Sequence, residues 1–303
     1  MVSVEVSPVA VLLAGFRSWL AGERGLSRET VRCYGTQAGI FLGWLPCPVD
    51  IAVRQLDSGQ VTGFMVDYCR DRNTWSMKAM VTSLRALLRF LHASGQTPTP
   101  LADAVPGVAG WRLASLPRGL DATVVARLLE SCDRTTVVGR RDYAILTVLA
   151  RLGLRGAEVT GLTIDDFDWR SGEIVVHGKG NRLDRLPLPV DVGEAIVAYL
   201  TDGRPASTGR AIFCTVRAPY RPLTAAALRQ VMGRACRRAS LPRAGAHRLR
   251  HSLATDMLRA GASLPQVGQV LRHRSALSTA IYAKVDENAL RPLARPWPTG
   301  AQS

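Results

Sequence analysis

Residues 245–286 read GAHRLRHSLATDMLRAGASLPQVGQVLRHRSALSTAIYAKVD. This stretch holds three of the chain's five histidines, a dense set of arginines and one tyrosine near its end. Leu249, Leu253, Met257 and Leu258 recur at helical spacing, which predicts a helix over 246–260. Gly261 stops it, because glycine takes the left-handed conformation at a helix end cheaply. Ser263 is a good cap for a second helix and Pro265 is tolerated in its first turn. A third helix over 275–284 carries Tyr282. His247 and Arg250 lie three apart and share a face, and His273 falls between the two later helices. A tyrosine, two histidines and an arginine able to converge suggest a phosphate-handling site.

Each of these residues has a blander reading. A lone Tyr or His on a helix is more often a hydrogen-bonded core residue than a catalyst, and a run of arginines is usually a solvated face. His247 and His251 also stand at the i, i+4 spacing of a metal pair. The zinc signature, however, needs Glu after the first His, where this chain has Arg248. Neighbouring cations would repel a metal, so none is expected.

The wider sequence sets the bounds. At 303 residues, two domains are expected. An apolar content of 47% with 6% aromatics fits a helix-leaning soluble protein. No apolar run reaches membrane-spanning length and no signal peptide opens the chain. The six cysteines are scattered without a CxxC, which fits a reducing cytoplasm. The net charge is +15 and is uneven: residues 1–110 hold 10 basic and 8 acidic side chains, residues 111–303 hold 29 and 16. An anionic polymer would therefore be gripped by the second part. Charge alone leaves DNA, RNA and acidic lipid open.

Residues 1–97 read as a helical bundle of four helices, over 8–23, 28–45, 60–70 and 75–93, with Ser27 as a cap. Lys78, Arg85 and Arg89 on the last of these are candidate DNA contacts. Residues 95–119 contain four prolines and four glycines, and 98–119 is read as an extended linker. In the remaining domain, 120–303, helices are expected from Asp121 to about Cys132, over 140–152, and over 154–162, where Arg155 and Glu158 share a face. Three strand-like runs follow, 162–169, 172–178 and 182–189, the last two joined by the tight turn GKGN. Helices return over 190–200 and 224–239.

The lysine of that turn is informative. The chain has 36 arginines and only three lysines, Lys78, Lys179 and Lys284. Arginine stays protonated, whereas a lysine crowded by cations can release and regain a proton. Lys179 at a hairpin tip is therefore a candidate general acid, against the alternative of a solvated turn residue.

In order along the chain, LGLRGAEVTGL, HGKGNR, HRLRHSLAT, LRHRS and IYAKVD resemble the motifs of the tyrosine recombinase, or phage integrase, superfamily, particularly its Xer-like and transposon-borne members. LSRETVRCYGTQAGIFLGWL and SLRALLRFLHASG resemble that family's core-binding domain. The resemblance implies a mainly α fold with a small antiparallel sheet, as a helical core-binding domain followed by a catalytic domain. It implies catalytic roles for Arg155, Lys179, His247, Arg250, His273 and Tyr282, with Glu158 supporting from behind. By the same analogy, His247 would accept the tyrosine proton. The family usually has Gly before the later His; Arg272 stands there instead and is a candidate further phosphate contact.

The activity implied is site-specific cutting and rejoining of double-stranded DNA through a 3′-phosphotyrosine, without metal, ATP or other cofactor. A homotetramer on DNA would pass through a Holliday junction, alone or with a partner recombinase, and 287–297 would dock on a neighbour. The setting would be the cytoplasm, on the nucleoid. Two alternatives are a catalytically silent DNA-binding relative and a type IB topoisomerase-like relaxing enzyme.

Overall fold

The computed structural model describes residues 7–109, 119–178, 182–206, 209–273 and 275–285. The chain divides into two units, Met1–Ala114 and Ser115–Ser303. In the first, α1 (Pro8–Gly22), α2 (Arg28–Trp44), α3 (Val49–Arg54), α4 (Ser58–Cys69) and α5 (Thr74–Ala93) pack around one core. Side-chain caps set the helix starts. Ser27 accepts from the Thr30 N–H, Asp57 and Gln60 cap each other reciprocally, and Asn73 accepts from the Ser76 N–H. α5 buries Met80, Leu84, Leu87 and Leu91 in a cluster with Phe16 and Leu20 of α1 and Phe41 and Leu42 of α2. Each such side chain contributes roughly 1.5–3 kcal/mol.

Two features here differ from the sequence expectation. α3 was not anticipated, because six residues are too few to display a helical period. Part of the expected linker is also folded onto the first core. Leu101, Ala102 and Val105 are buried there around a single 3-10 turn, Ala102–Ala104. Three apolar side chains in a proline-rich stretch suffice to anchor it. Arg85, a candidate DNA contact, instead donates from Nη2 to the Val105 carbonyl at 2.8 Å and ties this segment down. Lys78 and Arg89 are exposed.

The second unit is built on α7 (Val137–Leu152), whose Ala144, Ile145, Val148 and Leu149 are fully buried. Thr136 caps it, accepting from the Gly139 N–H, so the helix begins three residues before the expected Arg140. Around α7 lie α6 (Ala122–Glu130), α8 (Gly156–Gly161), α9 (Val190–Asp202), α10 (Ala225–Arg238) and α11 (Ala246–Arg259). α12 (Leu264–Val270), α13 (Ala276–Ala280) and a 3-10 turn, Ile281–Val285, follow α11. The antiparallel sheet has the order β1 (Phe167–Asp168), β2 (Glu173–Gly178), β3 (Arg182–Pro187). Gly178 pairs with Arg182 at the hairpin end. The first expected strand shrinks to two residues because Ile164–Asp166 turns as a 3-10 helix, with Asp166 accepting from the Thr163 N–H. No helix among the described residues is long and apolar enough to cross a membrane.

Candidate active site

Three helix ends position the site. α7 terminates at Gly153, whose φ of 55° is the left-handed region. A Cβ there would come within 2.9 Å of Cδ2 of Leu253 and of Leu271, so those side-chain ends would have to shift, and the positive φ itself favours glycine. Two residues on, Arg155 is the N-cap of α8, in extended conformation. Glu158 answers it. One carboxylate oxygen accepts from the Arg155 N–H at 2.8 Å, and the other accepts from Arg155 Nη1 at 2.7 Å. The cap thus fixes both the chain and the guanidinium. Burial pushes the Glu158 carboxyl up, but the Arg155 N–H, Arg272 and the Arg155 guanidinium together hold it below its ordinary value.

Arg250 is buried on α11. Its Nη1 donates to the Gly153 carbonyl and its Nη2 to the Leu271 carbonyl, so the ends of α7 and α12 hold the group in one orientation. Burial, then Arg155 and Arg272, lower its pKa to about 10, and it remains a cation at neutral pH.

Tyr282, in the last 3-10 turn, is 1% exposed. Its hydroxyl lies 2.7 Å from His251 Nδ1. Burial pushes the phenol up to about 12, with Arg250 pulling the other way. His273 stacks almost parallel to the tyrosine ring, at 6.3 Å and 8°. Its Nδ1 lies 2.7 Å from Thr279 Oγ1. Burial, followed by Arg250, Arg155, His251 and Arg272, lowers His273 to about 4, so it is neutral. With the Thr279 hydroxyl donating to Nδ1, the other nitrogen would carry the proton and present an N–H donor. Lost hydration, then Arg250 and Arg155, also hold His247 below the usual imidazole value.

Of the residues singled out in the sequence, the fold brings Arg155, Arg250, His273 and Tyr282 into one electrostatic neighbourhood with Glu158 behind them. Lys179 and 287–297 lie outside the described residues. Arg272 differs from expectation. Its side chain is 4% exposed, and Nη2 donates to Glu158 at 2.7 Å, with Nε 3.8 Å from Asp184 on β3. The side chain is thus buried against Glu158, while its Nε and Nη1 have no hydrogen-bond partner among the described residues. Sequence spacing alone does not single out His251 as the partner of Tyr282. The signal available was its place one residue after Arg250 on the helix face shared with His247, which spacing alone cannot resolve.

Residues 118–289 match the profile of the phage integrase family. The chain belongs to that family. The putative integrase/recombinase y4rA of Sinorhizobium fredii is 42% identical over 306 residues, spanning 99% of this chain and 75% of that protein. Tyrosine recombinase XerC of Oceanobacillus iheyensis is 30% identical over 286 residues, spanning 91% and 92%. Among solved structures, the XerH site-specific recombinase in a post-cleavage complex with palindromic difH substrate shares the fold, with a TM-score of 0.67 over 95% of this chain and 97% of that one at 20% identity. The chain is therefore a tyrosine recombinase, an enzyme of site-specific recombination, with a mainly helical fold and a small antiparallel sheet.

Proposed function

We propose that this chain cuts and rejoins double-stranded DNA at a specific site through a covalent 3′-phosphotyrosine at Tyr282. The observation that carries this reading is a tyrosine hydroxyl hydrogen-bonded to a histidine and lying in the field of a buried, backbone-anchored arginine. A phosphodiester repels nucleophiles, and its transition state gathers negative charge on the non-bridging oxygens. Arg155 and Arg250 present guanidinium donors to that charge, already oriented by Glu158 and by chain carbonyls. His273 and His247 supply further donors. The Tyr282 oxygen bonds to phosphorus, the bond from phosphorus to the 5′-oxygen breaks, and Lys179 protonates the departing oxygen. The phosphotyrosine conserves the bond for attack by a 5′-hydroxyl of another strand.

Strand exchange of this kind joins two duplexes, so four protomers would act together through a Holliday junction. Some relatives are solved on DNA, among them the Tn1549 transposon integrase in complex with circular intermediate DNA. Lys78 and Arg89 of the first unit are exposed and suited to phosphate contacts. The test is adduct formation. Duplexes selected by the chain from a random-sequence pool are nicked beside the cleavage point, so that the cut strand diffuses away. Wild type should accumulate a covalent protein–DNA species and Tyr282→Phe none. Wild type that binds its duplex yet never forms adduct would favour a silent DNA-binding relative.

A further inference from the structure

Among the described residues, His251 is the side chain seen to offer the Tyr282 hydroxyl a nitrogen. His273 lies flat against the ring and its Nδ1 is engaged by Thr279. His247, one turn before His251 on α11, is exposed. His251 meets the phenolic oxygen at 2.7 Å through Nδ1, with its ring tilted 56° to that of the tyrosine. We propose that His251, rather than His247, takes the Tyr282 proton as the tyrosyl oxygen attacks phosphorus. The proposal rests on the recombinase reading above and adds a residue to it.

The geometry ties this proton transfer to phosphate binding. Arg250 and His251 are consecutive residues of α11, so the helix that fixes the phosphate donor also fixes the proton acceptor. Arg250 is held at both terminal nitrogens, which leaves α11 little freedom to rotate one group away from the other. The protonation states agree. His251 is held below the ordinary imidazole value by burial, His247 and Arg250, and the phenol is raised, so the resting pair is neutral with Tyr282 donating to Nδ1. The groups facing this pair are the Arg250 cation and His247 on α11 and His273 after α12, both histidines being held below the usual imidazole value. A bound phosphate offsets the positive field of Arg250 and so stabilises an imidazolium at His251 at the moment the Oη–P bond forms. The proton leaves Oη for Nδ1 while Lys179 protonates the departing 5′-oxygen, so charge and atoms balance.

Asn in place of His251 keeps a hydrogen-bond acceptor near the Nδ1 position but cannot take a proton. His251→Asn should bind the selected duplex as wild type does and form adduct about 10²–10⁴-fold more slowly at pH 7. Its rate should climb about tenfold per pH unit from roughly pH 7 to 9.5, as hydroxide replaces the histidine, while wild type stays flat. A 5′-bridging phosphorothiolate, whose leaving group needs no acid, should not restore the variant. Imidazole should partly restore His251→Ala. The idea fails if His251→Asn cleaves within about threefold of wild type, or if the steep pH dependence belongs to His247→Asn instead. Nitrogen NMR of the free protein decides independently of DNA: a bare, hydrogen-bonded Nδ1 with the proton on Nε2 supports the proposal, and a protonated Nδ1 overturns it. Wild type without adduct but with that tautomer would count against the recombinase reading alone.

Discussion

Arg272 sets two energies against each other, and substitution can separate them. The residue follows the end of α12 with a φ of 54°. Its N–H donates to the Gln269 carbonyl and the next N–H, of His273, reaches back to Gly268 at 2.9 Å. This is the left-handed helix stop that glycine normally fills. Holding a side chain in that conformation costs about 1–2 kcal/mol. Against this stands the buried ion pair with Glu158. Removing one partner of such a pair costs about 3–5 kcal/mol, reduced here to roughly 2–3 because Glu158 keeps the Arg155 N–H and guanidinium. Arg272→Ala loses the pair and keeps the strain, so it should fall by about 2–3 kcal/mol. Arg272→Gly loses both and should fall by only about 1–2. Glycine should thus exceed alanine by about 1 kcal/mol, the reverse of their order inside a helix. Urea unfolding of the full-length protein reads the difference, and a Glu158→Gln background should shrink the cost of either change. Alanine equal to or better than glycine would refute the left-handed geometry. Glycine at least as stable as wild type would refute a stabilising pair.

Other outcomes follow from the same site. Gly153→Ala adds a methyl group where 2.9 Å separates it from Leu253 and Leu271 and forces a left-handed alanine; it should cost about 2–4 kcal/mol in a thermal or urea melt and slow cleavage by displacing a carbonyl that holds Arg250. Arg250→Lys keeps charge but cannot span both carbonyls, and adduct formation should drop about 10²–10³-fold, measured on the nicked duplex. His273, lowered from 6.5 to about 4, binds its proton first in the unfolded chain. Stability should therefore fall as pH drops from about 6.5 to 4, by roughly 2 kcal/mol, and His273→Asn should flatten that part of a pH series of urea midpoints.

The helices of the opening stretch were legible because their punctuation is local: Gly261 has a φ of 91° and Ser263 caps α12 with Gln266. Motif order singled out Arg155, Arg250, His273 and Tyr282, which the fold brings into one electrostatic neighbourhood. What stayed hidden depends on rotation about the helix and on distant backbone. His247 and His251 share a face of α11, and only the path of the chain after α13 decides which one the tyrosine meets. Arg272 reads from the sequence as a candidate phosphate contact, since nothing nearby in sequence announces that Glu158, 114 positions away, would pair with it in the interior. Leu101 and Val105 were masked by the prolines around them, because composition averages away a few anchoring side chains.

The concealment of Tyr282 has a biological corollary. Its oxygen is fully protonated and almost wholly shielded from water. A nuclease with a loosely held, ionised nucleophile would nick whatever duplex it brushed against. On the proposed mechanism, the negative substrate itself must supply the charge that frees the proton, so occupation of the site and the licence to break a strand arrive together.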